Sequence, residues 1–178
     1  LYLLHTLNKG LWENLKSLDV FSFLDSLKER GLVQQLGFSF HDELPVFREI
    51  IDGYDDWILA QVQYNFMDVN EQAGQRGVRY AAERGIPIVV MEPLRGGLLT
   101  REPPKPVAEL WASAPVQKKP VEWAFQWLWS QPEVTMTLSG MSSMEQVKEN
   151  LALAANPTLF TMTEEEQKII TRARDAYR

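Results

Sequence analysis

The segment LVQQLGFSFHDELPVFREIIDGYDDWILAQVQYN, residues 32–65, has the pattern of a strand, a helix and a second strand. The first apolar run ends at Phe40, and a helical pattern follows from Glu43 to Asp52. Gly53 comes just past the end of this helix, and the second apolar run extends from Trp57 to Asn65. Two such runs joined by a helix are typical of a βα unit in a parallel sheet.

The same alternation continues on both sides of this segment. The predicted strands are Leu1–His5, Leu32–Phe40, Trp57–Asn65, Ile86–Leu94 and Val134–Leu138. Further helices are predicted at residues 19–31, 72–84, 121–131, 143–154 and about 163–177, the first of them with Val20, Phe23, Leu24 and Leu27 on one face. The pattern predicts an α/β fold, and its spacing suits a barrel or a doubly wound sheet equally.

The stretch Gly96–Lys119 contains several prolines and is predicted to be the only long irregular connection. Because a long loop in a compact domain is usually functional, we expect it to overhang a site.

Composition excludes several classes of function. The chain has 178 residues, a net charge of -6 and no cluster of Lys or Arg, so no nucleic-acid partner and no membrane surface are expected. It has no Cys and only two His far apart, which argues against a metal site. No apolar stretch approaches the roughly 20 residues of a membrane span. A cytoplasmic location is predicted, and the start without Met, inside a strand pattern, predicts a missing upstream segment.

Polar residues gather where the predicted strands end, which is where parallel α/β folds place their functional groups. The strand-end groups include His5 with Asn8, Ser39 with His41 and Asp42, Gln61 with Gln63, Tyr64 and Asn65, Met91 with Glu92 and Arg95, and Ser139 to Ser142. A histidine that closes a strand is either structural or catalytic, and its residue type alone leaves both readings open. The segment GMSSMEQVKEN, residues 140–150, offers a glycine, hydroxyls and a helix start suited to a phosphate-bearing ligand.

Four segments together resemble the aldo-keto reductase family: YLLH, GFS, QVQYN and MEPLRGGLL, followed in order by LSGMSSMEQVKENL. The match covers essentially the whole chain, residues 1–178. It looks most like a bacterial and archaeal branch whose longer members carry an iron-sulfur motif after the barrel. The resemblance implies a (βα)8 TIM barrel, of which this chain supplies only about five βα units, strands 4 to 8.

The resemblance also implies a function, the transfer of a hydride from NADP(H), with NAD(H) as the alternative cofactor, to an aldehyde or ketone. His5 matches the catalytic histidine that closes the fourth barrel strand and orients the substrate carbonyl. The positions that match cofactor-binding residues are Ser39, Gln61 and Met91 for the nicotinamide, Pro93, Leu94, Gly96, Gly97 and Leu98 for the pyrophosphate, and Gly140, Met141, Ser142, Gln146, Glu149 and Asn150 for the adenosine end.

The chain departs from the family pattern at several positions. Phe40 stands where relatives carry an Asn, and Gln146 where they often carry a basic residue. The family's catalytic Asp, Tyr and Lys lie on earlier strands, so an upstream segment or a partner chain is expected to close the barrel. The chain by itself is predicted to be inactive, with exposed inward side chains such as Leu3 and Val62. The alternative is a non-catalytic nucleotide-binding or regulatory subunit related to these enzymes.

Overall fold

The structure is a computed structural model that describes residues 1–177. These residues form five strands, eight α-helices and short 3-10 helices at Leu98–Thr100 and Pro157–Phe160. The strands are β1 (Tyr2–Leu7), β2 (Leu36–Phe40), β3 (Trp57–Gln63), β4 (Ile88–Met91) and β5 (Val134–Thr137). The helices are α1 (Lys9–Ser17), α2 (Val20–Glu29), α3 (Leu44–Asp52), α4 (Gly74–Glu83), α5 (Lys105–Ala112), α6 (Pro120–Trp129), α7 (Met144–Ala154) and α8 (Glu164–Tyr177).

The strands form one sheet in the order β1-β2-β3-β4-β5, with parallel pairing from β1 through β4. Parallel neighbours joined by helices confirm the predicted α/β architecture and its succession of βα units. All five predicted strands are present, but each is shorter or shifted at an end; β2, for example, begins at Leu36 and not at Leu32.

One face of the sheet is an apolar core. Two rows of paired residues run across it, and each member is at most 7% exposed: Leu4, Phe38, Ala60 and Ile88 in the first row, and Leu7, Phe40, Val62 and Val90 in the second. Val62 is 1% exposed, so its prediction as an exposed inward residue is wrong. Side chains alternate along a strand, and Val62 lies on the opposite face from Gln61 and Gln63.

Helix α1 occupies a region for which the sequence predicted no helix. Asn8 begins it by accepting a hydrogen bond from the backbone N–H of Leu11 at 3.0 Å. Trp12 then lies on the buried side of the helix at 1% exposure. Asparagine is a favoured N-cap residue, so the signal was present in the sequence but lay in a short, polar segment.

The prediction of a wholly irregular connection at Gly96–Lys119 is wrong. The stretch contains the 3-10 helix Leu98–Thr100 and helix α5, and α5 buries Val107 and Trp111. Pro104 precedes α5 and Pro106 lies in its first turn, where a missing N–H costs no helical hydrogen bond. Prolines that suggested a loop therefore mark the start of a helix.

The predicted helix ends and caps are largely confirmed. Gly31 and Gly85 follow α2 and α4 with φ angles of 65° and 71°, a left-handed conformation that favours glycine. Ser143 and Gln146 form a capping box at the start of α7. Phe23, however, is 47% exposed and packs edge-on against Tyr2, so it does not belong to the buried face of α2 with Val20 and Leu24.

The chain divides into two compact units. The first comprises Leu1–Tyr64, Val69–Met91 and Glu133–Met136, and it contains the sheet with α1 to α4. The second comprises Asn65–Asp68, Glu92–Pro132 and the residues from Thr137 onward, and it contains α5 to α8. Aromatic residues of α6 are core residues of this second unit, with Trp123 at 0% and Phe125 at 2% exposure.

A buried polar network joins α6 and α8 in the second unit. The Lys118 ammonium forms a salt bridge with Glu166 and donates to Gln126 Oε1 at 2.7 Å, and the side chains of Lys118 and Glu166 are 10% and 11% exposed. Gln126 Nε2 donates to the carbonyl of Thr161 at 2.7 Å. The Thr163 backbone N–H donates to Glu166 at 2.9 Å, completing the predicted start of α8. Each buried polar group in this network thereby has a partner.

Candidate functional site

Four of the sequence-predicted residues lie together in the first unit, on the sheet face opposite the apolar core. We call His5, Ser39, Gln61 and Met91 the strand-end cluster. Ser39 pairs with Gln61 across β2 and β3, and Gln63 pairs with Met91 across β3 and β4. The cluster therefore takes one side chain from each of four successive parallel strands, near their carboxyl ends.

His5 and Ser39 are in direct contact. Nδ1 of His5 lies 2.8 Å from Oγ of Ser39, and the backbone N–H of Thr6 donates to the same oxygen at 2.7 Å. Ser39 is completely buried, whereas His5 is exposed. The ring of His5 is therefore held at its Nδ1 edge, and its Nε2 edge has no hydrogen-bond partner among the described residues.

Thr6 has an unusual backbone conformation, with a φ of 58°. The pairing of β1 with β2 is irregular between Leu4 and Leu7, so Thr6 lies in a bulge directly after His5. A left-handed conformation is strained for a β-branched residue, and such strain concentrates at functional sites. Nothing in the residue type of Thr6 signals a positive φ, so the sequence could not identify this feature.

Gln61 and Met91 form the other half of the cluster. The amide nitrogen of Gln61 lies 3.5 Å from the sulfur of Met91. Both side chains are partly exposed, so an amide and a polarizable thioether lie side by side at the surface of this unit. An amide can pair with a carboxamide, and a thioether can lie against an aromatic ring.

Phe40 is adjacent to Ser39 in sequence but lies on the opposite face of β2. It is completely buried and packs edge-on against Phe47 of α3 at a centroid distance of 5.0 Å. Phe40 is therefore part of the apolar core, and it contributes no polar atom to the strand-end cluster.

Asp42 follows β2 and connects the starts of two helices. Its carboxylate accepts from the backbone N–H of Lys9, at the start of α1, and from that of Glu43, before α3, each at 2.7 Å. A carboxylate at a helix start is stabilised by unpaired N–H groups. Asp42 is thus a structural residue that fixes the loops after β1 and β2.

The turn that follows β4 belongs to the second unit, and a buried asparagine holds it. Asn65 Nδ2 donates to Asp68 at 3.0 Å and to the carbonyl of Glu92 at 3.1 Å, while its Oδ1 accepts from the N–H groups of Met67 and Asp68. Asp68 also forms a salt bridge with Arg95 at 3.2 Å. These contacts anchor the turn that contains Pro93, Leu94, Gly96, Gly97 and Leu98.

Three consecutive residues of this turn, Arg95, Gly96 and Gly97, have positive φ angles of 50°, 62° and 84°. The N–H of Gly96 donates to the Glu92 carboxylate at 2.6 Å. The Glu92 carboxylate therefore already binds one backbone N–H of this turn. Gly96 and Gly97 make the positive φ angles of the turn accessible.

The predicted adenosine residues also lie in the second unit, at the start of α7 and along it. Gln146 Oε1 accepts from the N–H and hydroxyl of Ser142 at 2.8 and 3.2 Å. Asn150 donates to the hydroxyl of Ser139 at 3.1 Å. Gly140, Met141 and Ser142 form the connection between β5 and α7, with no heavy atom within 4 Å of a Cβ built on Gly140.

Glu149 has a basic partner that sequence analysis did not identify. Lys119 forms a salt bridge with it at 2.8 Å, and the hydrogen bond to Glu149 raises the pKa of the Lys119 ammonium. The two residues are 30 positions apart, and no sequence pattern links them. A cation is therefore present beside α7 although Gln146 itself is neutral.

Two tyrosines of the first unit, Tyr54 and Tyr80, do not resemble proton donors. Tyr80 donates to Asp52 at 2.5 Å, and this hydrogen bond raises its pKa. Burial, followed by the hydrogen bond to Asp25, raises the pKa of Tyr54 as well. A raised pKa makes a phenol a weaker acid near neutral pH.

The described part of the chain contains no group of three or more His, Asp or Glu side chains placed to hold a metal ion. In the same residues, no helix combines the length and the apolar character needed to cross a membrane.

Comparison with known proteins identifies the family. A model of the Aldo/keto reductase family matches residues 1–174. Among curated proteins, L-galactose dehydrogenase of Arabidopsis thaliana is 28% identical over 158 residues, which is 80% of this chain and 48% of that protein.

Solved structures show the same fold. The holo form of the aldo-keto reductase AKR11C1 from Bacillus halodurans is 23% identical, with a TM-score of 0.73, over 97% of this chain and 59% of that one. The thermostable aldo-keto reductase Tm1743, solved with the inhibitor epalrestat, is 22% identical, with a TM-score of 0.71, over 97% of this chain and 58% of that one.

This chain thus spans about half the length of the curated relative (48%) and about three fifths of the solved AKR11C1 chain (59%). The family model nevertheless matches almost all of the chain. The chain belongs to the aldo/keto reductase family.

Proposed function

We propose that this chain is the part of an NAD(P)H-dependent oxidoreductase that holds the nicotinamide and orients the substrate carbonyl. The observation that carries the proposal is the strand-end cluster, in which His5, Ser39, Gln61 and Met91 come from four successive strands on one sheet face. The family to which the chain belongs supports an oxidoreductase role. The substrate is an aldehyde or ketone of low molecular weight.

The residues present fit a nicotinamide chemically. Gln61 offers an amide to the ring's carboxamide, and Met91 offers a polarizable surface to the ring, with the two groups 3.5 Å apart. When bound, the reduced ring supplies the hydride for the carbonyl carbon. The protein's own task is position: His5 directs its Nε2 edge to the carbonyl oxygen and stabilises the charge that develops there.

The other cofactor contacts are proposed from the motif match. The backbone of Pro93, Leu94, Gly96, Gly97 and Leu98 would follow the pyrophosphate, and Gly140, Met141, Ser142, Gln146, Glu149 and Asn150 would hold the adenosine end. NADP(H) is the proposed cofactor and NAD(H) the alternative. The likeness to the branch with iron-sulfur-containing members rests on the GFSFHD, MEPLRGG and SGMSSMEQVKEN segments, and the cytoplasmic location stays a prediction.

We further propose that residues 1–178 correspond to strands 4 to 8 of the barrel and do not turn over substrate alone. In the first unit, Tyr80 donates its hydroxyl proton in a hydrogen bond to Asp52, and Tyr64 is completely buried. Neither tyrosine is therefore suited to deliver a proton beside His5. An upstream segment or a partner chain would supply the proton donor and the missing strands.

Because neither Tyr64 nor Tyr80 is suited to deliver a proton beside His5, a second candidate is a non-catalytic nucleotide-binding or regulatory subunit. One experiment separates the two. NADPH is titrated into the chain and into the longest protein whose sequence contains this chain, and binding is followed by NADPH fluorescence. Both proteins are then assayed for aldehyde reduction. Turnover by the longer protein supports the enzyme, binding without turnover in both supports the subunit, and no binding in either would contradict both.

A further inference from the structure

We infer that Ser39 is a positioning residue that fixes His5 in the tautomer with its proton on Nε2. The inference deepens the proposed function, because it assigns a role to Ser39 that neither the family match nor the cofactor contacts supply. It rests on that function only for the statement that Nε2–H is directed to a carbonyl oxygen.

The hydrogen bonds of the Ser39 hydroxyl group determine where its proton lies. Ser39 Oγ has two neighbours among the described residues, Thr6 N at 2.7 Å and His5 Nδ1 at 2.8 Å. A backbone N–H can only donate, so it occupies one acceptor position of the oxygen. The single hydroxyl proton of Ser39 then has one available acceptor, His5 Nδ1, because complete burial removes water as a partner.

A neutral imidazole whose Nδ1 accepts a hydrogen bond must carry its proton on Nε2. In the opposite arrangement Nδ1–H would donate to Ser39, and the buried hydroxyl proton would have no acceptor. Leaving a buried donor unpaired is more costly than an ordinary hydrogen bond is favourable. The geometry therefore selects one tautomer of a side chain that is otherwise exposed.

The backbone N–H of Thr6 determines the direction of the hydrogen bond between Ser39 and His5. Its φ of 58° places it in the bulge of β1, and its N–H donates to Ser39. This donor is what fills the first acceptor position of Oγ. Thr6 therefore affects the ring of His5, because its N–H leaves the hydroxyl proton of Ser39 directed toward His5 Nδ1.

The role differs from the cofactor contact that the resemblance implies for Ser39. A serine hydroxyl has one proton and two acceptor positions. The proton is used for His5 and one acceptor position for Thr6, and because Ser39 is completely buried, the second acceptor position is not accessible to a ligand in this structure.

The experiment is nitrogen NMR of the chain labelled with 15N-histidine, recorded at alkaline pH without any ligand. The two histidines are His5 and His41, and His41→Gln assigns the signals. We expect the Nδ1 signal of His5 to be that of an unprotonated nitrogen. The ratio of the Nε2–H form to the Nδ1–H form should be roughly five- to tenfold higher at His5 than at His41. The exposed His41, whose side chain has no hydrogen-bond partner among the described residues, gives the unconstrained tautomer ratio. A protonated Nδ1, or the same ratio at His5 as at His41, would overturn the inference.

Variants then test the cause. Ser39→Ala should bring the ratio at His5 to that of His41, Ser39→Thr should restore it, and Ser26→Ala, which removes a hydroxyl of α2, should leave it unchanged. An unaltered ratio in a folded Ser39→Ala protein would refute the role of Ser39, and if that variant does not fold, the wild-type spectrum decides. Because the spectra need no cofactor, failed NADPH binding would contradict the proposed function without altering this result.

Discussion

The side chains of Gln61 on β3 and Met91 on β4 meet with the amide nitrogen 3.5 Å from the sulfur. The contact joins two neighbouring parallel strands at the end of the sheet where His5 and Ser39 also meet. The thioether of Met91 thereby offers a polarizable surface beside the amide donor of Gln61.

Replacing Gln61 with alanine should weaken binding of the nicotinamide end of the cofactor. The loss of about one hydrogen bond predicts a fall in NADPH affinity of roughly five- to tenfold. Isothermal titration of NADPH and of 2′-phospho-ADP-ribose, which lacks the nicotinamide, measures the effect. The second ligand should bind equally to both proteins, and an equal loss for both ligands would argue against contact between Gln61 and the nicotinamide.

Replacing Gly37 with alanine should destabilise the sheet. A Cβ at Gly37 would lie 2.8 Å from the Leu3 side chain and 2.9 Å from both the side chain and the backbone carbonyl of Leu59. Such overpacking costs about 1–3 kcal/mol in the free energy of unfolding, measured by urea denaturation.

The matched control is Gly10→Ala in helix α1, where the nearest atom to a Cβ is Asn8 Oδ1 at 3.6 Å. Alanine is the better helix former, so this variant should gain up to about 1 kcal/mol. A Gly37→Ala protein as stable as wild type would show that the strands are not packed as described.

Removing the carboxylate of Glu166 should destabilise the second unit. Glu166→Gln leaves the ammonium of Lys118 in a largely buried position without its counter-charge, which predicts a loss of roughly 3 kcal/mol in the free energy of unfolding. Glu109→Gln is the control, because its pair with Lys105 is exposed and should contribute less than about 1 kcal/mol. Equal effects of the two substitutions in thermal unfolding would contradict the network.

The contribution of Glu166 should also depend on pH. Burial alone raises its pKa, but the hydrogen bonds from Lys118 and Thr163 and the Lys118 charge outweigh it, so the pKa lies below the ordinary value of 4.5. A carboxyl group with a lowered folded-state pKa stabilises fully above its unfolded pKa, and the stabilisation is lost as the pH falls through the folded pKa. The difference in melting temperature between wild type and Glu166→Gln should therefore be constant above about pH 5 and shrink in more acidic buffer. A difference that stayed constant down to pH 2 would contradict this assignment.

Asn65→Ala should loosen the turn after β4. The substitution removes partners from the N–H groups of Met67 and Asp68 and from the Glu92 carbonyl in a completely buried position, which predicts a loss of about 2–3 kcal/mol. Asn156→Ala is the matched control, because Asn156 only accepts from Thr158 near the surface and should cost about 1 kcal/mol. Urea denaturation measures both, and an equal loss would contradict the anchoring role of Asn65.

The fold was largely predictable because hydrophobic periodicity is local. The runs that became β1 to β5 and the helices with glycine at their ends carry their own signals, as at Gly31 and Gly85. Helix α5 was missed because its prolines favour a loop and a helix start alike, and α1 because its signal was one asparagine.

The composition of the strand-end cluster was predictable, but its internal bonding was not. The residues His5, Ser39, Gln61 and Met91 were identified by their positions at strand ends and by resemblance. The hydrogen bond from Thr6 to Ser39 and the pair of Lys119 with Glu149 depend on tertiary geometry, and they join residues 33 and 30 positions apart. No local pattern encodes such contacts.

The most direct test of a nicotinamide site at the strand-end cluster uses the methyl signal of Met91. The chain contains six methionines, so 13C-methyl labelling gives few signals, and Met91→Leu assigns the relevant one. Saturating NADPH should shift the Met91 methyl through the adjacent aromatic ring, whereas 2′-phospho-ADP-ribose should leave it unchanged. A Met91 signal that stays in place while NADPH fluorescence reports binding would contradict the account.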